Sequence, residues 1–189
     1  MAAYSFQIDL NTSFTGEDSL DISLDAGNTT TNDLGVVEFD GNATGDSLTV
    51  DGVSYTFPLG EKMTVIVGDN TDGSALFTTA CTYGGPTNTL DDCGNVNAGI
   101  TNGGAMAGAS YDFGSGFTAA VGYAAGESDM ATGLMSKETL DAYGVNASYT
   151  GDNFGVSVTY GLVETSSIDE DTFTAVSYTH LRAHETTCD

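Results

Sequence analysis

Between Tyr143 and Leu162 the sequence alternates with a period of two on both sides of a tight turn. Tyr143, Val145, Ala147 and Tyr149 point one way, against Gly144, Asn146 and Ser148. After Thr150-Gly151-Asp152-Asn153, the residues Phe154, Val156, Val158, Tyr160 and Leu162 share a face, against Gly155, Ser157, Thr159 and Gly161. Apolar–polar alternation across a Gly/Asp/Asn turn specifies a β-hairpin, because successive strand side chains lie on opposite faces. A half-buried hairpin of a soluble sandwich has the same local pattern. Recurrence and connection length separate the two.

The pattern recurs. Tyr4, Phe6, Ile8 and Leu10 alternate with Ser5, Gln7, Asp9 and Asn11; Leu20, Ile22, Leu24 and Ala26 alternate with Ser19, Asp21, Ser23 and Asp25. Leu48 to Phe57 slips phase at Asp51-Gly52, which predicts a β-bulge. Met63, Val65 and Val67 form a weaker fourth strand, since Ile66 spoils the polar face. Ala105 to Phe113 and Phe117 to Ala125 flank Gly114-Ser115-Gly116, and Val163 onward reads as an acidic loop. These runs make roughly eight strands, each close to the length of about 9–11 residues that crosses a bilayer obliquely. Their connections alternate strictly short and long. An up-and-down outer-membrane barrel has that asymmetry, and a soluble sandwich has no reason to keep its short turns at one end. The expected fold is therefore all-β, part of an antiparallel up-and-down transmembrane barrel.

Aromatic residues cluster as such a barrel requires. Phe14, Phe57, Tyr111, Phe113, Phe117, Tyr149 and Phe154 lie beside the short turns; Tyr4, Tyr123, Tyr143 and Tyr160 lie nearer the long connections. Two aromatic belts flanking an apolar band mark a lipid-facing wall. The opposite face carries Gln7, Asp9, Asn11, Asp21, Ser23, Asp25, Thr64, Asp112, Asn146, Ser157 and Thr159, the candidate pore lining. Carboxylates there favour cations, chiefly through Asp9, Asp21 and Asp25.

The chain has 27 acidic and 3 basic residues, a formal net charge of -24. Nucleic acid is excluded as a partner, because binding it needs cations that displace counterions. No stretch approaches the roughly 20 apolar residues of a transmembrane helix, and Met1-Ala2-Ala3 does not open a signal peptide. Both histidines, His180 and His184, and the one arginine, Arg182, fall in a terminal stretch whose composition changes abruptly. Residues 177–189 look like a translated sequencing-adapter tail, leaving residues 1–176 as one domain. Without that tail there is no histidine, and the usual general bases and triads are absent. No P-loop or dinucleotide fingerprint occurs. The expectation is a non-enzyme without a cofactor. Asp69-Asn70-Thr71-Asp72-Gly73 and Asp91-Asp92 offer loose calcium chelation at most.

Several stretches resemble cyanobacterial outer-membrane porins, the iron-uptake porins grouped with the carbohydrate-selective OprB-type family. These are LNTSFTGEDSLDISLDAGN (Leu10 to Asn28), VDGVSYTFPLGEKMTVIVGDN (Val50 to Asn70), ACTYGGPTNTLDDCGN (Ala80 to Asn95) and GSGFTAAVGYAAG (Gly114 to Gly126). The resemblance covers most of Phe6 to about Thr174. The resemblance implies a longer barrel preceded by a surface-layer-homology domain, so this chain reads as an internal fragment. It also implies an outer-membrane channel for passive diffusion of small hydrophilic solutes, carbohydrates or inorganic ions, with membrane lipid as partner. Trimerisation is left open. Cys81 and Cys93 are expected to pair, a bridge worth about 3 kcal/mol in the chain-entropy model. Free thiols are the alternative, and a metal site lacks two further ligands.

Two other readings compete. A secreted acidic β-sandwich or adhesin-type domain uses the same alternation to bury a core. A complete eight-stranded barrel packs its interior with side chains and does not conduct. The Gly- and Ala-rich inward faces of the later strands fill such a lumen poorly.

Overall fold

The computed structural model describes residues 4–28, 45–78, 100, 103–126, 141–151, 154–164 and 172–181, with the backbone alone at Ser5, Gly103, Phe154 and residues 172–181. The chain is all-β: β1 (Ser5–Thr12), β2 (Ser19–Gly27), β3 (Gly45–Leu59), β4 (Met63–Asp69), β5 (Gly103–Gly114), β6 (Phe117–Gly126), β7 (Asp141–Thr150), β8 (Phe154–Val163) and β9 (Thr172–Leu181). No helix occurs among the described residues. The strands form one antiparallel sheet in chain order, each hydrogen-bonded to its sequence neighbours. Successive connections therefore fall at opposite ends of the sheet, and all the short turns lie at one end. β1 and β9 are the two edges, so the described sheet is open.

Two sequence expectations change. β3 starts at Gly45, taking three residues from the connection read as Gly27 to Ser47. A ninth strand occupies residues read as an acidic loop running into the tail. β8 presents a full edge of backbone donors and acceptors there, and Thr172, Thr174, Val176 and Thr179 favour the extended chain that pairs with it.

The predicted bulge is present. Ser23 pairs with Gly52 but Leu24 with Val50, leaving Asp51 as the extra residue. That step restores Leu48 and Val50 to the face shared by Val53, Tyr55 and Phe57. The β5–β6 turn is a two-residue loop with Ser115 at φ 54° and Gly116 at φ 84°, the doubly left-handed geometry whose twist suits a hairpin. Gly116 has a second constraint: a Cβ there would overlap the Thr150 carbonyl oxygen. Thr150 in turn donates its N–H to the Gly116 oxygen at 2.8 Å, tying this turn to the end of β7.

Burial inverts the usual order. Along β6, β7 and β8, the apolar Val121, Val145 and Val158 are 53, 49 and 50 % exposed, whereas Asn146, Ser157 and Thr159 on the other face are 3, 2 and 4 % exposed. Much of the apolar face is open: Phe6, Ile8 and Leu10 on β1, Leu48 and Val50 on β3, Val67 on β4 and Tyr160 on β8 are all exposed, while Ala26 and Ala125 at the long-connection end are buried.

Candidate functional site: the polar wall and the strap that covers it

Cross-strand register places every candidate pore-lining residue on one face. Gln7 pairs with Asp25, Asp9 with Ser23 and Asn11 with Asp21. Thr64 pairs with Ser110, Asp112 with Thr118, Asn146 with Thr159 and Ser148 with Ser157. The face nevertheless divides into two halves of different character.

On β1 and β2 the wall is acidic and open. Gln7, Asp9 and Asn11 are exposed, Asp21 and Ser23 half-buried, and Asp25 buried. Neutral donors hold the carboxylates in place. Ser23 Oγ donates to Asp9 Oδ1 at 2.7 Å, Ser19 Oγ to Asp21 Oδ2 at 2.7 Å, and Asn11 Nδ2 to Asp21 Oδ1. Hydroxyl and amide donors orient the carboxylates without neutralising their charge.

On β5–β8 the wall is covered. Residues 70–78 leave the end of β4 and fold back over it as a strap, joined by Ile100. Gly73 donates its N–H to the Ile100 oxygen at 3.0 Å. Asp72 shapes the bend: its Oδ1 accepts from Ser74 N at 2.8 Å and Ser74 Oγ at 2.7 Å. That employs one of the carboxylates weighed above as a calcium ligand; among the described residues no cluster of metal-ligating side chains is assembled. Ile66, Ile100, Met106, Ala124 and Ala142 form a small core, with Leu76, Phe77 and Val163 against it. Ile66, the residue out of place in the β4 alternation, belongs to that core and faces the strap.

Glycines make the seat. Gly108, Gly122 and Gly144 follow one another across β5, β6 and β7 in register. A Cβ at Gly122 would overlap the Gly73 carbonyl oxygen and stand 3.0 Å from its carbon; at Gly144 it would overlap Ile100 and approach the Phe77 ring at 3.1 Å. The strap backbone thus lies where side chains would otherwise stand. A polar latch completes the contact. Thr78 N donates to Asn146 Oδ1 at 3.1 Å, and Thr118 Oγ1 donates to Thr78 Oγ1 at 3.1 Å. Thr118 and Ser148 hydroxyls lie 2.6 Å apart, and Asn146 Nδ2 donates to Thr159 Oγ1 at 2.9 Å. Asn146 and Thr159 therefore anchor the strap, with buried Ser157 alongside, while Asp9, Asn11 and Asp21 stand on the uncovered wall.

Sequence reasoning missed Thr78, Thr118, Ser148, Ile100 and Gly73. The signal available was the Gly108–Gly122–Gly144 stripe together with Leu76-Phe77, adjacent large apolar residues in a largely polar connection. Cys81, Cys93, Asp91 and Asp92 lie outside the described residues.

The aromatics line the margins of the apolar face. At the short-turn end Phe117 and Tyr149 are 4.6 Å apart between centroids, Tyr111 and Phe113 4.8 Å, and Phe14 meets Tyr55 edge-on at 6.1 Å. Tyr55, absent from the predicted belt, stacks on Phe57 at 5.4 Å. The Phe154 side chain lies outside the described residues. At the opposite end Tyr123 and Tyr143 are 5.4 Å apart. Asp18 organises the β1–β2 turn. It accepts from Thr15 Oγ1 at 2.6 Å, Ser13 Oγ at 2.7 Å, Thr15 N at 2.7 Å and Tyr55 OH at 2.8 Å. These donors, the Thr15 hydroxyl first, hold its carboxyl far below the usual carboxylate range, against the opposing pull of burial.

Comparison with family models, curated proteins and solved structures found no match to the chain.

Proposed function

We propose that this chain forms the wall of a water-filled outer-membrane β-barrel channel, a porin that passes small hydrophilic solutes or ions and prefers cations. The inverted burial carries the reading. Exposed valines and aromatics on one face, with polar and small residues on the other, give a sheet whose outside suits lipid and whose inside suits water. The alternating connections and the two aromatic margins support it. On this reading the strap narrows the lumen along β5–β8, and solute passes beside the carboxylates of Asp9 and Asp21; Asp25, expected to share that role, is buried. The charge bias is toward cations.

A soluble acidic β domain is the competing reading, favoured by the small core under the strap. It leaves the exposed valines and aromatics of the apolar face in water, and soluble monomers rarely expose a large contiguous apolar patch. The test is size-exclusion chromatography with and without detergent, followed by bilayer conductance under a KCl gradient. The channel reading expects monodispersity only with an amphiphile and a reversal potential of cation-selective sign. A monodisperse chain in plain buffer refutes it.

A further inference from the structure

The first strand leaves the described sheet with an unguarded edge. Among the described strands β1 pairs with β2 alone. Asn28 donates its N–H to the Tyr4 oxygen at 3.1 Å, which makes Tyr4 and Asn28 a hydrogen-bonded pair of that ladder. Alternation along the register then gives Phe6, Ile8, Leu10 and Thr12 the bonds to β2. It turns the N–H and C=O of Ser5, Gln7, Asp9 and Asn11 toward the open edge. Edge strands are commonly blunted by lysine, proline or a bulge. β1 has none of these over its 8 residues, SFQIDLNT, and its register against β2 is unbroken. Its apolar side is open as well, with Phe6, Ile8 and Leu10 exposed.

The side chains that would stand opposite decide what such an edge accepts. Two copies of β1 laid antiparallel about Ile8 overlap along the whole strand. Phe6 then faces the partner's Leu10, Ile8 the partner's Ile8, Gln7 the partner's Asp9 and Ser5 the partner's Asn11. Apolar residues meet apolar ones, so both sheets keep their two faces. Asp9, the one charge on the strand, meets an amide donor, the same match that sets Asp21 against Asn11 within the sheet. Centring the pair on Asp9 would set two carboxylates against each other, and like charges directly opposite are destabilising. Centring it on Gln7 shortens the overlap. We propose that a second copy of this chain pairs on β1, antiparallel and centred on Ile8. The outward residues of the two strands exchange about eight hydrogen bonds. The pairing uses backbone groups and strand pattern, so it does not depend on whether the apolar face meets lipid.

The test is disulfide mapping of the full chain in detergent, with Cys81, Cys93 and Cys188 replaced by serine. Ile8 opposes its own copy in a non-hydrogen-bonded pair, where Cα atoms stand about 4.5 Å apart. A disulfide spans about 4.4–6.8 Å between Cα atoms. Under mild oxidation Ile8→Cys should cross-link most of the chain to a dimer. Phe6→Cys alone should not, because its counterpart lies roughly 13 Å away along the strand; mixed with Leu10→Cys it should. Gln7→Pro deletes an edge-facing N–H and leaves the β1–β2 bonds in place, a proline position that edge strands tolerate. Two hydrogen bonds are lost per dimer, so the dimer dissociation constant should rise about 5- to 150-fold, with the strand signal in circular dichroism unchanged. A monomeric chain without the Ile8→Cys cross-link, as when another strand of the protein fills the edge, overturns the inference. So does equal cross-linking of Ile8→Cys and Phe6→Cys alone, which marks unregistered aggregation, or a dimer that Gln7→Pro leaves intact.

Discussion

Gly122→Ala adds one methyl group, and the structure says where it must go. The new Cβ falls on the Gly73 carbonyl, overlapping the oxygen and standing 3.0 Å from the carbon. A flexible side-chain end could swing aside, but this is backbone, held by the Gly73–Ile100 hydrogen bond at 3.0 Å. The strap must lift. Overfilling a packed site costs about 1–3 kcal/mol, and a lifted strap also loses the Thr78–Asn146 bond, worth roughly 1 kcal/mol. Opening of the strap should become about 5- to 150-fold more frequent for the steric part alone. Hydrogen exchange in detergent reads this directly. Protection across residues 72–78 should fall by that factor, with β1 and β2 unchanged. Gly60→Ala is the control: at φ 76° the alanine strains its own backbone, but its Cβ meets nothing within 4 Å and cannot press on the strap. Unchanged protection of residues 72–78 in Gly122→Ala would refute the seating argument.

Other consequences are open to measurement. Asn146→Ala removes the acceptor of Thr78 N and the donor to Thr159, and should cost about 1–3 kcal/mol in urea unfolding from detergent. Val121→Arg puts a charge amid the exposed apolar face and should lower stability in vesicles by about 2–4 kcal/mol; on a water-facing surface it would change little. Asp9→Asn with Asp21→Asn should reduce cation selectivity, read as a reversal potential moving toward zero. Asp18 has a depressed folded pKa. Its stabilisation of the β1–β2 turn is complete above the unfolded value of about 4 and is lost as pH falls through the folded value. Urea midpoints should therefore decline below about pH 4, and Asp18→Asn should flatten that part of the profile.

Strand positions and their two faces were legible because the period-two pattern is set by backbone geometry alone. Even the Asp51 bulge followed from a slip in phase. The ninth strand was not legible, because its pairing depends on the free edge of β8 rather than on its own alternation. The strap was hidden for a similar reason. Leu76, Phe77 and Ile100 are apolar residues in polar surroundings, and nothing local says which wall they meet. The glycines of β5–β7 suggested an underfilled lumen, whereas their space is taken by another part of the chain. Ile66 looked like an error in the pattern until its partner across the sheet, Gly108, and the strap above it were placed together.

Which face meets lipid is the central claim, and the absence of tryptophan from the sequence makes it directly measurable. Single reporters Val121→Trp and Asp9→Trp, reconstituted into phosphatidylcholine, can be challenged with brominated acyl chains and with aqueous acrylamide. The account predicts bromine quenching of the Val121→Trp reporter with little effect of acrylamide, and the reverse for the Asp9→Trp reporter. Acrylamide quenching of both, with no bromine effect on either, would contradict it.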